Sequence, residues 1–409
     1  MAQETPLWLN IHFAERILRL AEDNTTITVT DIFMKPATSK GDNYTSDMMR
    51  VSIEFTRVQG GERVKDKKSL IFKFEPIEEG VRRDLIEKVQ IFDTEMTMMM
   101  DTLKKMNDML GPESRLGAQV YHVRMERPLC LIMEDLAPLG FRMADRQAGL
   151  DLQHCLLAVR GLAKFHASSV VLCEKEPKHK ERYRRGIFSD EFPDEVTAFF
   201  TGGCAALAAE MKNWPGEWTI YREKLEALAP HLYKLGAKTL QRRDDEFNVI
   251  NHGDSWVNNM LFRYDENSKP VQHIFVDFQM CVYTTPAIDL HYFLSTSPSE
   301  TIYENNLDML VEEYVRTLST MMKQLGSKTK PPTLEDIKKT MKERETYALI
   351  SSITVLPVIL VDKSEAMDIN EMMHPDGVNN PGYKSPIYQK VMAKRFPKFL
   401  KAGLLEIPA

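Results

Sequence analysis

Cysteine is scarce in this 409-residue chain, and the five present do not cluster. Cys130, Cys155, Cys173, Cys204 and Cys281 are odd in number, with no C-x-x-C pair. That excludes a dense disulfide framework and a zinc ribbon, and it fits reduced core thiols in the cytosol. Charge of one sign is also lacking. A formal net charge of −6 gives no field strong enough to gather nucleic acid or anionic lipid. Long apolar runs are missing as well. The longest, residues 348–361, is interrupted by Ser351, Ser352, Thr354 and Pro357. It is expected to be a buried helix, and no membrane span is expected. The first residues, MAQETPLWLNIHFAERIL, show no basic segment followed by an apolar core. No signal peptide is therefore expected, and the location expected is cytoplasmic. A Walker A sequence is absent, which excludes a P-loop ATPase. Repeats and low-complexity segments are absent too.

What remains is ample apolar content, 43% of residues, enough for a core in each of two domains or lobes. One stretch organises the rest: VINHGDSWVNNMLFRY, a polar turn DENSKP, then VQHIFVDFQM and TPAIDLHYF. Residues 260–264 and 274–276 read as two short strands joined by a tight connection. His252, Asp254 and Asn259 lie on the loop that leads in, Asp277 follows the second strand, and Asp289 lies beyond. Asp254 and Asn259 keep the D-x-x-x-x-N interval of phosphotransferase catalytic loops, where the Asp takes the hydroxyl proton and the Asn holds a metal. Asp277 stands where such enzymes keep a second metal ligand. An amide oxygen and a carboxylate are hard donors that suit Mg²⁺ bridging phosphates. D-x(4)-N alone recurs by chance in a chain this long; HGD, the Asn and an Asp behind IFV together do so far less often.

Upstream, residues 7–21 read as an amphipathic helix and residues 25–33 as a strand. Val51, Ile53 and Phe55 alternate with polar neighbours, Gly60-Gly61 turns, and SLIFKFEP returns. Lys73 lies between Phe72 and Phe74 on the opposite face. By itself it is either a solvated edge lysine or the strand lysine that holds nucleotide phosphates. Leu85, Val89, Phe92, Met96, Met99, Leu103, Met106 and Leu110 repeat at four- and three-residue steps, the stripe of one long helix. Glu95 borders that stripe. Alone it reads as a surface charge; with Lys73 it becomes the partner that orients the lysine. Residues 129–133 form a further strand, and the following Glu134-Asp135-Leu136 reads as a connector whose backbone meets an adenine edge. His166, on a helical face with Leu152, Leu156, Val159, Ala163 and Val170, reads as a packed core histidine. The segment 188–221 carries seven aromatic residues, among them Trp214 and Trp218. It is read as core, or as the wall of an apolar acceptor pocket. Thr333 with Glu335 and Asp336 marks a helix start, and the tail from Pro375 is expected to wrap the surface.

These pieces, GDNYTSDMMRV, LIFKFEP, FDTEM, LIMEDL, LAKFHASS, HGDSWVNNMLF, IFVDFQ and PAIDLHYFL, occur in one order over nearly the whole chain. In that order the sequence resembles the ecdysteroid kinase-like (CHK kinase-like) family, relatives of choline kinases and aminoglycoside phosphotransferases. The resemblance implies an α+β, protein-kinase-like two-lobed fold, with a small β-rich N-lobe (1–135) and a larger, mainly helical C-lobe (136–409). It implies ATP and Mg²⁺ as cofactors and a small hydroxylated molecule as substrate. It makes Asp254 the catalytic base, Asn259 and Asp277 the Mg²⁺ ligands, and Lys73 with Glu95 the phosphate-orienting pair. Asp289 and His252 become structural supports of the loop. Glu134 and Leu136 contact the nucleotide, and Gly41 and Asn43 offer backbone N–H groups to phosphate. No G-x-G-x-x-G occurs, so the phosphate loop departs from the protein-kinase pattern. A missing A-P-E segment counts against a protein substrate. The resemblance suggests a steroid such as an ecdysteroid, and the seven aromatic residues of 188–221 favour an apolar alcohol over a choline- or aminoglycoside-type cation. A non-catalytic nucleotide- or lipid-binding member, and a metallohydrolase using His252, Asp254, Asp277 and His291, are the remaining alternatives.

Overall fold

The computed structural model describes residues 6–38, 45–76, 80–367, 369–374 and 377–407. Helix α1, Ile11–Ala21, starts where the Asn10 side chain accepts from Phe13 N at 3.1 Å, and it buries Ala14, Ile17 and Leu18. Those residues pack on an antiparallel sheet of five strands: β1 (Thr28–Pro36), β2 (Asp47–Gln59), β3 (Glu62–Phe74), β4 (Val120–Arg124) and β5 (Cys130–Glu134), in the order β1-β2-β3-β5-β4. The period of two divides each strand between two faces. Phe72 and Phe74 of β3 enter the core under α1 with Leu70, Val51, Ile53 and Phe55, and Lys73 is turned to the other side.

The long helix expected over residues 85–110 is broken. Helix α2 (Val81–Val89) ends at Gln90, which takes a left-handed φ of 56°. Helix α3 (Ile91–Thr97) follows, then a π-helical turn, Met98–Thr102, then helix α4 (Leu103–Leu110). The apolar stripe serves two clusters rather than one. Ile86, Val89, Phe92 and Met96 gather around Leu129, whereas Met98, Met99, Leu103 and Met106 join the large core of the molecule. Periodicity records only that a face is apolar, not that it faces one partner.

After a short strand, β6 (Phe141–Met143), the 24-residue helix α5 (Leu152–Lys175) runs through the larger lobe. It is long and apolar enough to cross a membrane, but 78% of its most apolar window is buried inside the protein. It is the central core helix, packed on the helix Leu307–Gln324 and on two small sheets. Strand β7 (Val249–Asn251) pairs with β10 (Val282–Thr284), and β8 (Met260–Tyr264) pairs with β6 and with β9 (Pro270–Phe275). The remaining helices surround these. Thr333 caps the helix Leu334–Glu343 through a reciprocal capping box with Asp336, as the sequence indicated.

Two expectations about the C-terminal part change. Residues 348–361 are buried but form two helices, Thr346–Thr354 and Leu356–Leu360, because Pro357 begins a new one. The tail does not merely wrap the surface. The helix Pro386–Lys401 buries Tyr388, Val391, Met392, Phe396 and Phe399 in the large core. Those positions keep helical spacing behind a Pro- and Gly-rich stretch whose composition masked it. All five cysteines are buried and unpaired.

Candidate active site

The loop between β7 and β8 is fixed at its backbone first. Asp289, on the helix Ala287–Thr296, accepts from His252 N at 2.7 Å and from Gly253 N at 2.9 Å. His166 Nε2 adds a third contact, 3.0 Å from Asp289 Oδ2. Burial alone would raise the pKa of Asp289; the hydrogen bond and charge of His166 outweigh it and hold the carboxyl below its usual range. Gly253 sits at φ 80°, and a Cβ there would lie 1.8 Å from Met280 O. Only glycine fits this bend. His252 donates from Nε2 to Val276 O at 3.0 Å and accepts at Nδ1 from Asp254 N at 3.3 Å, which fixes its tautomer. Burial pushes it below the ordinary imidazole range, so it is neutral at pH 7.

Asp254 hangs from this braced turn. Its Oδ2 accepts from Asn259 Nδ2 at 2.7 Å, and the same amide nitrogen donates to Asp254 O at 2.9 Å. Both neighbours are acceptors, so the amide must present its nitrogen to them, and Asn259 Oδ1 points away. The other oxygen of Asp254, Oδ1, accepts from the hydroxyl of Tyr292. The Trp256 indole N–H faces the same carboxylate without closing a hydrogen bond. Burial, with the charge of Asp277 adding to it, lifts Asp254 to about 6 against the hydrogen bonds of Tyr292 and Asn259.

Across the cleft, Lys73 is 2% exposed, and its Nζ lies 2.7 Å from Glu95 Oε2 and 2.8 Å from Asp277 Oδ1. The solvated-edge reading of Lys73 and the surface-charge reading of Glu95 are both excluded. Burial disfavours the charge on Lys73, but the two carboxylates more than offset it and raise its affinity for the proton. Burial disfavours the charge on Glu95 as well, which for a carboxyl raises the pKa. Asp277 has φ 66°, a left-handed backbone uncommon for a residue with a side chain. Val276 N holds the segment in place by donating to Asn259 O at 3.0 Å. The outlier lies at the point where β9 delivers a carboxylate to the lysine, as strain at functional sites often does.

Lys73, Glu95, Asn259 and Asp277 share the charged end of a cleft of about 300 Å³. Ile71, Met133, Leu136, Phe141, Leu261 and Val276 form its apolar part. Of the connector residues, Glu134 gives its carboxylate to Arg115 at 2.7 Å and to Gln119 N at 3.3 Å. The Leu136 carbonyl accepts from Leu139 N and Phe141 N, each at 3.2 Å, and both Glu134 and Leu136 line the cleft. Gly41 and Asn43 lie outside the described residues.

Among the described residues no group of three or more His, Cys, Asp or Glu side chains converges to hold a metal. Asn259 and Asp277 offer one amide oxygen and one carboxylate. That set fits Mg²⁺, which takes one or two protein carboxylates and completes its shell with phosphate and water oxygens. The metallohydrolase alternative fails on geometry. Both nitrogens of His252 are engaged, and His291 Nε2 lies 2.7 Å from Met341 O.

Two residues of the site were not read from the sequence. His166 braces Asp289 and also contacts the Tyr314 hydroxyl at 2.7 Å, but an apolar helical face gave it no polar signature. Tyr292 stands three residues after Asp289, on the same helix face, and that spacing was a usable signal. The aromatic segment resolves the other way. Trp214 is buried, donates to Tyr383 O at 3.1 Å and packs on Tyr388 and Phe396. Trp218 packs on Trp214, Tyr221 and Phe396. Both are anchors for the C-terminal helix, and neither lines the cleft with Asp277.

A small antiparallel sheet domain that supplies a lysine, a larger helical lobe that supplies the loop, and a cleft between them make up a two-lobed, protein-kinase-like fold. The chain belongs to the ecdysteroid kinase-like family, whose profile matches residues 40–327. No curated protein matches it by sequence. Among solved structures it is similar to "Amicoumacin kinase hAmiN in complex with AMP-PNP, Ca2+ and Ami", at 14% identity over 95% of this chain and 92% of that one. The TM-score is 0.36, and so loose a superposition carries no argument about the site.

Proposed function

We propose that the chain is an ATP- and Mg²⁺-dependent O-phosphotransferase whose acceptor is a hydroxyl of a steroid, such as an ecdysteroid, or of another apolar alcohol. Residues 1–135 would form the lobe that binds the nucleotide phosphates. Residues 136–409 would carry the catalytic loop, the metal site and the acceptor pocket. The observation that carries this reading is Lys73 Nζ, held between Glu95 and Asp277 in the cleft that also contains Asn259. Buried positive charge bracketed by carboxylates is suited to gripping phosphate oxygens beside a divalent cation.

In this reading Lys73 binds phosphate oxygens and Glu95 keeps its ammonium aimed into the cleft. Asn259 Oδ1 and the Asp277 carboxylate hold the metal. Mg-ATP, when bound, supplies the phosphoryl group and the cation that neutralises its charge. Asp254 accepts the proton of the acceptor hydroxyl, and its raised affinity for protons suits a base that works near neutrality. Asp289, His252 and His166 keep the loop rigid so that the base does not wander. The family description names ecdysteroids, which favours the steroid over a cationic alcohol. Five buried, unpaired thiols suit a reducing compartment such as the cytoplasm.

The test is transfer of γ-labelled phosphate from ATP to ecdysone, choline and an aminoglycoside, with and without Mg²⁺. Label on ecdysone, dependent on Mg²⁺, is expected. Label on choline or the aminoglycoside alone would transfer the acceptor assignment to a cation. No label on any acceptor, together with no binding of Mg-ATP, would remove the phosphotransferase reading.

A further inference from the structure

Tyr292 is 3% exposed and lies on the helix Ala287–Thr296, three residues after Asp289. That interval places both side chains on the face turned to the catalytic loop. Asp289 takes the backbone N–H groups of His252 and Gly253, and Tyr292 gives its hydroxyl proton to Oδ1 of Asp254. One helix therefore fixes the loop twice, at the main chain and at the carboxylate. The second oxygen of that carboxylate is held independently by Asn259 Nδ2 at 2.7 Å. With a donor on each oxygen the carboxylate plane is set, and rotation about its terminal torsion breaks one hydrogen bond or both.

Removing either donor would have a different consequence. Asn259 belongs to the proposed metal site, so its hydrogen bond to Asp254 depends on whether the metal draws on the same amide. The Tyr292 contact does not share that dependence. Its ring is enclosed, 6.2 Å from that of Tyr347, and does not line the cleft of Lys73 and Asp277. A buried tyrosine with its hydroxyl committed to a carboxylate loses little entropy in holding it, because only two torsions are involved.

The geometry points to Tyr292 as a positioning residue for the phosphoryl transfer, acting through Asp254 and touching neither nucleotide nor acceptor. This rests on Asp254 being the base of the proposed reaction. Tyr292 hydrogen-bonds Oδ1 through one lone pair and leaves another lone pair on that oxygen for the acceptor hydroxyl. Misplacement of a reacting group by about 1 Å can cost about 10²-fold in rate, so a donor that fixes orientation has a measurable effect without touching substrate.

The experiment is a double-mutant cycle of the full chain: parent, Tyr292→Phe, Asp254→Asn and the double variant. ADP release from Mg-ATP is followed with ecdysone as acceptor and with water as the only acceptor. Binding of Mg-ATP and the melting temperature are measured for each variant. Tyr292→Phe removes one oxygen and keeps the packed ring. The expected result is a fall in kcat of about tenfold to a hundredfold, with the Kd for Mg-ATP and the KM for ATP within about twofold of the parent. In the Asp254→Asn background the same change is expected to lose nothing further, because the hydroxyl then has no carboxylate to orient. Retained Mg-ATP affinity shows that the variant is folded; should it be lost, Tyr292→Trp, which keeps an N–H donor, is put through the same cycle. Full kcat in Tyr292→Phe, or equal losses in both backgrounds, would overturn the positioning role while leaving Asp254 as base. Parent-like turnover by Asp254→Asn, or no turnover by the parent with either acceptor, would overturn it together with the function on which it rests.

Discussion

Asp277 Oδ1 meets Lys73 Nζ at 2.8 Å, across 204 residues of sequence, with the Asp277 backbone in the left-handed region at φ 66°. The contact ties the residues just past β9 in one lobe to the C-terminal end of β3 in the other. It also leaves Asp277 with two partners to serve once a metal is present, since the same carboxylate is the proposed Mg²⁺ ligand.

Asp277→Asn is expected to weaken Mg-dependent nucleotide binding, because a neutral amide replaces the only carboxylate of the proposed metal pair. Calorimetric titration with ATP, with and without Mg²⁺, checks this. Equal Mg-ATP affinity in parent and variant would contradict the ligand assignment.

Asp254→Asn is expected to fail differently. Loss of a general base costs about 10² to 10⁴-fold in rate, whereas Mg-ATP binding survives. Single-turnover phosphoryl transfer, measured beside the same titration, separates the two defects.

The pH dependence follows from Asp254. Its proton affinity is raised by burial to about 6 in the absence of nucleotide. The base must be ionised to work, so kcat/KM rises with pH, by about tenfold per unit below that value, and levels above it. A profile flat from pH 5 to pH 8 would contradict the assignment; so would activity that rises as the pH falls.

How much of this was legible depends on how local each signal is. Asp254, Asn259 and Asp277 lie within one short stretch, and their spacing is itself the chemical requirement, so sequence alone brought them together. Lys73 and Glu95 were ambiguous singly and informative as a pair, and the structure joins them at 2.7 Å. His166 was invisible because a buried histidine that braces a carboxylate looks, in sequence, like one that only fills space. The break at Gln90 was hidden for another reason: a left-handed residue and a π turn leave the apolar spacing almost unchanged. For Trp214 the sequence leaves core and pocket wall both open, because aromatic composition does not say which element an indole packs on; its partner helix begins 172 residues later, at Pro386.

Asp289→Ala is expected to be a stability variant. It strands two buried backbone N–H groups and the His166 ring, and breaking a buried charged network typically costs about 3–5 kcal/mol. Denaturant unfolding should show a lower midpoint, and the molecules still folded should show a reduced kcat, because the turn that carries Asp254 has lost its backbone anchor.

Trp214→Ala should also cost about 3–5 kcal/mol, as truncation of a core aromatic does. Its acceptor KM, measured below the shifted melting temperature, should equal that of the parent. A raised acceptor KM at unchanged stability would return Trp214 to the pocket.

The most direct test of the central claim, that the cleft around Lys73, Asn259 and Asp277 binds Mg-ATP, is the melting temperature with ATP alone, Mg²⁺ alone and both. At about a hundred times its Kd a ligand stabilises the folded state by about 2.7 kcal/mol. An upward shift of several degrees with both together, small shifts with either alone, and its loss in Asp277→Asn are the predicted results. No shift with millimolar Mg-ATP, or the same shift in Asp277→Asn, would contradict the account.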